Sequence, residues 1–188
     1  MADVRDLFVK ASMNYEEAVH QIREDQWHMP TPCTEWDVRA LMQHLVNEQL
    51  WISPLLAGKT IGEVGDAFDG DNLGDDPVGA WDGAAADARA AVQGLSDLQR
   101  TTHLSFGDFP AEEYINQALF DLHIHGWDLR TAIGADTTMD DELTSYLMPW
   151  AEIAMKAYQQ VGVTAPPPPV PDDASPQTKI LALSGRRG

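Results

Sequence analysis

Residues 111–134, AEEYINQALFDLHIHGWDLRTAIG, constrain this chain more than any other stretch. No proline interrupts them, and Gly134 supplies a natural stop, so the spacing predicts a helix over about Ala111–Ile133. At ~100° per residue, Ile115, Leu119, Leu122, Leu129 and Ile133 fall in one apolar seam. Phe120, Ile124 and Trp127 make a second apolar sector. With both sectors buried, only one of the two intervening polar sides can face water. Asn116, His123 and Arg130 are the expected solvent side, because arginine is seldom buried unpaired. Tyr114, Gln117, Asp121, His125 and Asp128 then point at the centre of the fold.

A helix of that kind needs partners on several sides, and the rest of the chain offers helices. Apolar residues recur with helical spacing over 4–26, ahead of the prolines in MPTPC (29–33). A second helix is expected to start at Thr34 as N-cap, with Asp37 three residues on, and to end near Gly58. Residues 58–76 are rich in Gly and Asp; Leu73 stands where a calcium loop needs oxygen, so a solvated loop is expected. An Ala-rich helix follows at about 78–98, a turn or short extended piece at 101–110, and a last long helix at about 140–161. APPPPVPDD (165–173) reads as a stiff extended segment, with a short helix after it. The expected fold is all-α, an antiparallel four-helix bundle with an additional C-terminal helix, in one domain spanning 1–188. Residues 165–188 form its Pro-rich tail.

Charge narrows the partners. Twelve Lys+Arg face thirty Asp+Glu, a formal net charge of −18, which repels nucleic-acid backbones and anionic lipid. No apolar run approaches the ~20 residues of a membrane span, and the N-terminal residues do not read as a leader. The single cysteine, Cys33, excludes an intrachain disulfide and suits a reducing cytoplasm. It precedes the second helix, where a helix dipole would favour the thiolate, but no base is assigned beside it.

Asp121 and His125 are one turn apart and can act on the same atom. Neither belongs in a core without a partner. One reading is a buried Asp–His hydrogen bond. The other is a metal ion, with His44 on the second helix as a third ligand. Two imidazoles and one carboxylate leave coordination positions open, as catalytic rather than structural sites do. Glu48, one turn on from His44, is a fourth ligand, a base or a solvated acid; Asp128 is three residues from His125 and could hold its far ring nitrogen. These two are weak candidates for a catalytic role. Trp27, Trp36, Trp51, Trp81 and Trp150 read as core or pocket walls, and His20, His28 and His103 as solvent-facing.

MPTPCTEWDVRALMQHLV (29–46), HIHGWDL (123–129) and VPDDASPQTKILALSGR (170–186) together resemble the DinB-like metalloenzyme superfamily, in the actinobacterial branch related to the N-terminal domain of mycothiol-dependent maleylpyruvate isomerase. The resemblance implies a four-helix bundle with a divalent metal, usually zinc, held by residues that map to His44, Asp121 and His125. It also implies mycothiol, a low-molecular-weight thiol, bound near the metal as thiolate. Two departures stand out. The isomerase usually has Glu where this chain has Asp121, one methylene shorter. It also carries a separate C-terminal domain that these 188 residues do not include, so maleylpyruvate isomerisation itself is not carried over.

The expected function is therefore metal-dependent activation of a small thiol for transfer to, or isomerisation of, a small electrophile. The alternative is a non-catalytic metal- or small-ligand-binding protein of a stress-related kind. Zinc is the expected metal, with nickel, iron and manganese also suited to the donor set. A homodimer is compatible with this reading.

Overall fold

In the computed structural model, residues 2–160 and 167–187 are described. Seven helices lie among them: α1 (Val4–Val19), α2 (Val38–Leu56), α3 (Ile61–Val64), α4 (Pro77–Gln93), α5 (Ala111–Ile133), α6 (Asp141–Gln160) and α7 (Pro176–Leu183). Two short strands, β1 (Thr101–Leu104) and β2 (Gly107–Pro110), pair as an antiparallel hairpin just before α5. The turn or extended piece read at 101–110 is this hairpin.

Four helices make the bundle. α2 packs mainly on α4 and α1 on α5, and the contacts α1–α4 and α2–α5 close the ring. Phe8, Tyr15, Leu41, Leu45, Trp81, Ile115 and Leu119 meet in the middle, fully buried. α6 lies against α5, and α7 against α6. Trp51 packs edge-on against Phe68. No helix among the described residues is long and apolar enough to cross a membrane.

Local chemistry explains where the helices begin. Asp3, Asp37, Asp76 and Ser175 each accept a backbone N–H of the first turn, and Pro77 and Pro176 occupy first-turn positions that need no donor. α5 ends at Gly134 in the left-handed conformation, φ 73°, as its sequence indicates. The buried Gln26 side chain donates to the Ile133 carbonyl at 2.9 Å, satisfying one end-of-helix acceptor from across the fold.

Several boundaries differ from the sequence reading. α1 stops at Val19, and only a 3-10 turn at 24–26 continues it. α4 ends at Gln93, with Gly94 at its C-cap. The N-cap of α2 is Asp37, not Thr34, because residues 29–37 fold on themselves. Thr31 Oγ1 donates toward the Cys33 and Trp36 carbonyls and accepts from the Cys33 N–H, and Pro30 bridges Asp37. The Pro-rich segment expected from 165 is described only from residue 167, and Val161 also lies outside the described residues.

One face was assigned wrongly from sequence. Asn116, His123 and Arg130 do not form a solvent side: Asn116 and His123 are buried and Arg130 half-buried. α6 and α1 cover them. His123 Nε2 lies 2.9 Å from Thr144 Oγ1, and Arg130 donates to the Asn14 carbonyl at 2.7 Å. With α1 on one flank and α6 on the other, this side of α5 is covered, and His123 and Arg130 find partners on those neighbours, whereas the buried Asn116 Oδ1 has none among the described residues.

Candidate metal centre

The hairpin and the 29–37 turn set the two helices that matter. α2 presents His44 and Glu48 on one face, and α5 presents Asp121, His125 and Asp128. Among the described residues, His44, Asp121 and His125 are the group of three whose potential ligand atoms all lie within 4.8 Å of one another. His44 Nε2 is 3.0 Å from Asp121 Oδ2, and His125 Nε2 is 3.3 Å from Asp121 Oδ1. The two imidazoles meet edge to face, with centroids 5.3 Å apart. The structure thus brings the three residues named from sequence to one point.

Behind them stands a supporting layer. Asp128 is fully buried, and its Oδ2 lies 2.9 Å from His125 Nδ1. Arg186, just past α7, donates to both Asp128 oxygens, at 2.7 and 3.3 Å. Trp36 stacks over His44 and His125, with centroids 4.7 and 5.6 Å away. It sits there because the folded 29–37 turn carries it back over α2. Sequence reasoning placed Trp36 only as core or wall and missed Arg186 altogether. Arg186 is 58 positions from Asp128, and its only signal was the SGR at the end of the resembling tail.

The electrostatics follow the geometry. Burial works against charging Asp121, but the two imidazoles beside it win and hold its carboxyl far below the ordinary range. Burial likewise opposes the His125 cation, yet Asp121 and Asp128 raise its pKa to about 9. Asp128 is held low by His125 and Arg186 against its own burial. Glu48 goes the other way: burial and the Asp121 charge raise it, only partly offset by the two imidazoles. Its Oε1 stands 4.0 Å from His44 Nδ1. Burial also raises the Cys33 thiol, which lies outside any helix and so loses the dipole argument made for it. His20 and His28 are exposed as expected, but His103 is half-buried; each stands against an aspartate, Asp82, Asp37 and Asp108 at 2.8, 3.0 and 2.8 Å.

A cavity of about 460 Å³ opens onto this group. His44, Glu48 and Asp121 form part of its floor, with Gln117, Tyr114, Phe120, Trp150, Met155 and Tyr158 around it. Phe106 from the hairpin and Arg186 stand at its edge. Donors with two nitrogens and one carboxylate, an oriented imidazole behind, and space in front are the chemistry of an open divalent-cation site.

Comparison with known proteins agrees with this architecture. A profile of the mycothiol maleylpyruvate isomerase N-terminal domain matches residues 10–130. Two uncharacterized proteins of Mycobacterium tuberculosis, from strains CDC 1551 and H37Rv, are each 30% identical over 172 residues, 88% of this chain and 87% of theirs. The crystal structure of a mutant mycothiol-dependent maleylpyruvate isomerase shares the fold, with a TM-score of 0.67 at 14% identity, over 87% of this chain and 72% of that one.

Proposed function

Because the chain belongs to the mycothiol maleylpyruvate isomerase N-terminal domain family, we propose that it is a metal-dependent enzyme. It activates a low-molecular-weight thiol, mycothiol foremost, for transfer to or isomerisation of a small electrophile. The observation that carries this reading is the convergence of His44, Asp121 and His125 on one point, with His44 and Asp121 at the floor of a cavity.

His44 Nε2, His125 Nε2 and an Asp121 oxygen would hold the ion, with zinc the best match and nickel, iron and manganese also served by the same donors. Such an ion, when bound, supplies Lewis acidity that stabilises a thiolate at neutral pH. The remaining work falls to the protein. Asp128 accepts the Nδ1 proton of His125, which leaves Nε2 facing Asp121 and fixes the ring. Arg186 keeps Asp128 ionised and in place. Glu48, half-buried beside the Asp121 carboxylate and raised by partial desolvation and that charge, is suited to take the thiol proton and release it later. The aromatic walls keep water from the reacting thiolate. A reducing compartment suits both a thiol cosubstrate and the single cysteine.

The test is consumption of mycothiol with monobromobimane by metal-free and zinc-reconstituted protein. A rate above the uncatalysed background only in the reconstituted protein supports the proposal. Equal rates in the two forms contradict it. Thiol binding without turnover would instead indicate a binding protein.

A further inference from the structure

The cavity over the three-residue cluster has a composition that selects among electrophiles. Its walls are Tyr114, Phe120, Trp150, Met155 and Tyr158, with Phe106 at the mouth. Phe120 and Trp150 pack with centroids 5.4 Å apart. Phe106 is 59% exposed at the hairpin tip, stacked only on Phe109, an open ring beside the entrance.

Its indole N–H and its one cation are already paired, and the donors that remain, the Gln117 amide and the Tyr114 and Tyr158 hydroxyls, are uncharged. Trp150 Nε1 donates to both oxygens of Glu113, at 3.1 and 2.9 Å. Arg186, the one arginine or lysine lining the cavity among the described residues, is spent on Asp128 and on the Ser184 carbonyl. Ser184 Oγ donates to the Leu181 carbonyl. The charges left facing the space are the carboxylates of Glu48 and Asp121. These two would together cancel the charge of a divalent ion held below them, so the centre offers little net attraction to an anion.

We propose that this pocket takes an uncharged electrophile with an apolar or aromatic body and discriminates against dicarboxylates, an inference that rests on the cluster below it being the reaction centre. A carboxylate entering here would lose water, face the Glu48 and Asp121 carboxylates and find no cation that is not already paired, whereas a flat apolar body would cover the rings of Phe120, Trp150 and Phe106.

Calorimetric titration of the full chain with two unreactive probes, 2-naphthol and maleate, tests it in both metal-free and zinc-loaded protein. The expected result is 2-naphthol bound at least about tenfold tighter than maleate in both forms. Phe106→Asp, at an exposed position, should weaken 2-naphthol at least about fivefold. Ala118→Phe, which fills the cavity from α5, should abolish its binding. Ile153→Asp, exposed on α6 and not lining the cavity, should change nothing. Maleate binding as tightly as 2-naphthol or tighter overturns the proposal, as does 2-naphthol binding untouched by both cavity variants; a loss in either variant, with maleate weak, supports it. Metal content of His44→Ala is read separately. Retention of metal there would remove the reaction-centre reading, while the two probe affinities would still report the chemistry of the pocket.

Discussion

Asp128 is fully buried, and its carboxylate accepts from His125 Nδ1 at 2.9 Å, so the acid three residues along the helix fixes which nitrogen of His125 faces Asp121. A carboxylate in that position raises ligand basicity and locks the ring. Asp128→Asn keeps the shape but lets the ring take the wrong tautomer. The expected outcome is zinc affinity weaker by about 10- to 100-fold, measured by competition with a chromogenic chelator. Unchanged affinity would mean that Asp128 only packs.

Arg186 closes the same network from the end of the described chain. Replacing it by Met leaves the buried Asp128 carboxylate with one partner fewer. Loss of one member of a buried pair costs about 3 kcal/mol. Urea denaturation of Arg186→Met should show that order of destabilisation. The double variant Arg186→Met/Asp128→Leu should recover part of it, because the stranded charge is then gone. A single variant as stable as the parent would contradict the role assigned to this contact.

His123 gives the chain a pH dependence with a definite sign. Burial between α5 and α6 depresses its pKa from 6.5 to about 4, so the folded protein keeps it neutral while the unfolded chain protonates it. Stability from this residue is complete above about pH 6.5 and falls as pH drops toward about 4. The steepest loss is about 1.4 kcal/mol per pH unit. His123→Asn removes this titration. Denaturation at pH 7 and pH 5 should therefore show a larger loss for the parent than for the variant, by about 1–2 kcal/mol. Parallel losses would place the acid sensitivity elsewhere.

Metal-free protein should also be the less stable form. The three ligands come from two helices, so an ion bound to the folded state alone ties α2 to α5. At 100 times its dissociation constant, free zinc should add about 2.7 kcal/mol and raise the melting temperature accordingly. An unchanged melting temperature on adding zinc to stripped protein would argue against a site built from the folded bundle.

Much of this was readable before the fold was known. The helix 111–133 and its stop at Gly134 were set by uninterrupted periodicity and one glycine, and these are local. His44, Asp121 and His125 were readable because each lies at a fixed angle on a long regular helix. What was not legible was decided by contacts between distant segments. Asn116, His123 and Arg130 looked solvent-facing because nothing in their own helix reveals that α1 and α6 cover them. The N-cap of α2 moved to Asp37 because the preceding turn uses its own side-chain bonds, a preference that competes with helix capping. Arg186 could not be joined to Asp128 by any periodic rule, since the pairing depends on how α7 packs against α6.

The central claim is that three side chains from two helices hold one divalent ion. Its most direct test is elemental analysis of zinc-reconstituted protein after extensive dialysis, for the parent chain and for His44→Ala and His125→Ala variants shown by circular dichroism to be folded. The account predicts about one zinc per chain in the parent and less than about a tenth of that in either variant. Equal zinc in the parent and both variants, or none retained by the parent, would contradict it.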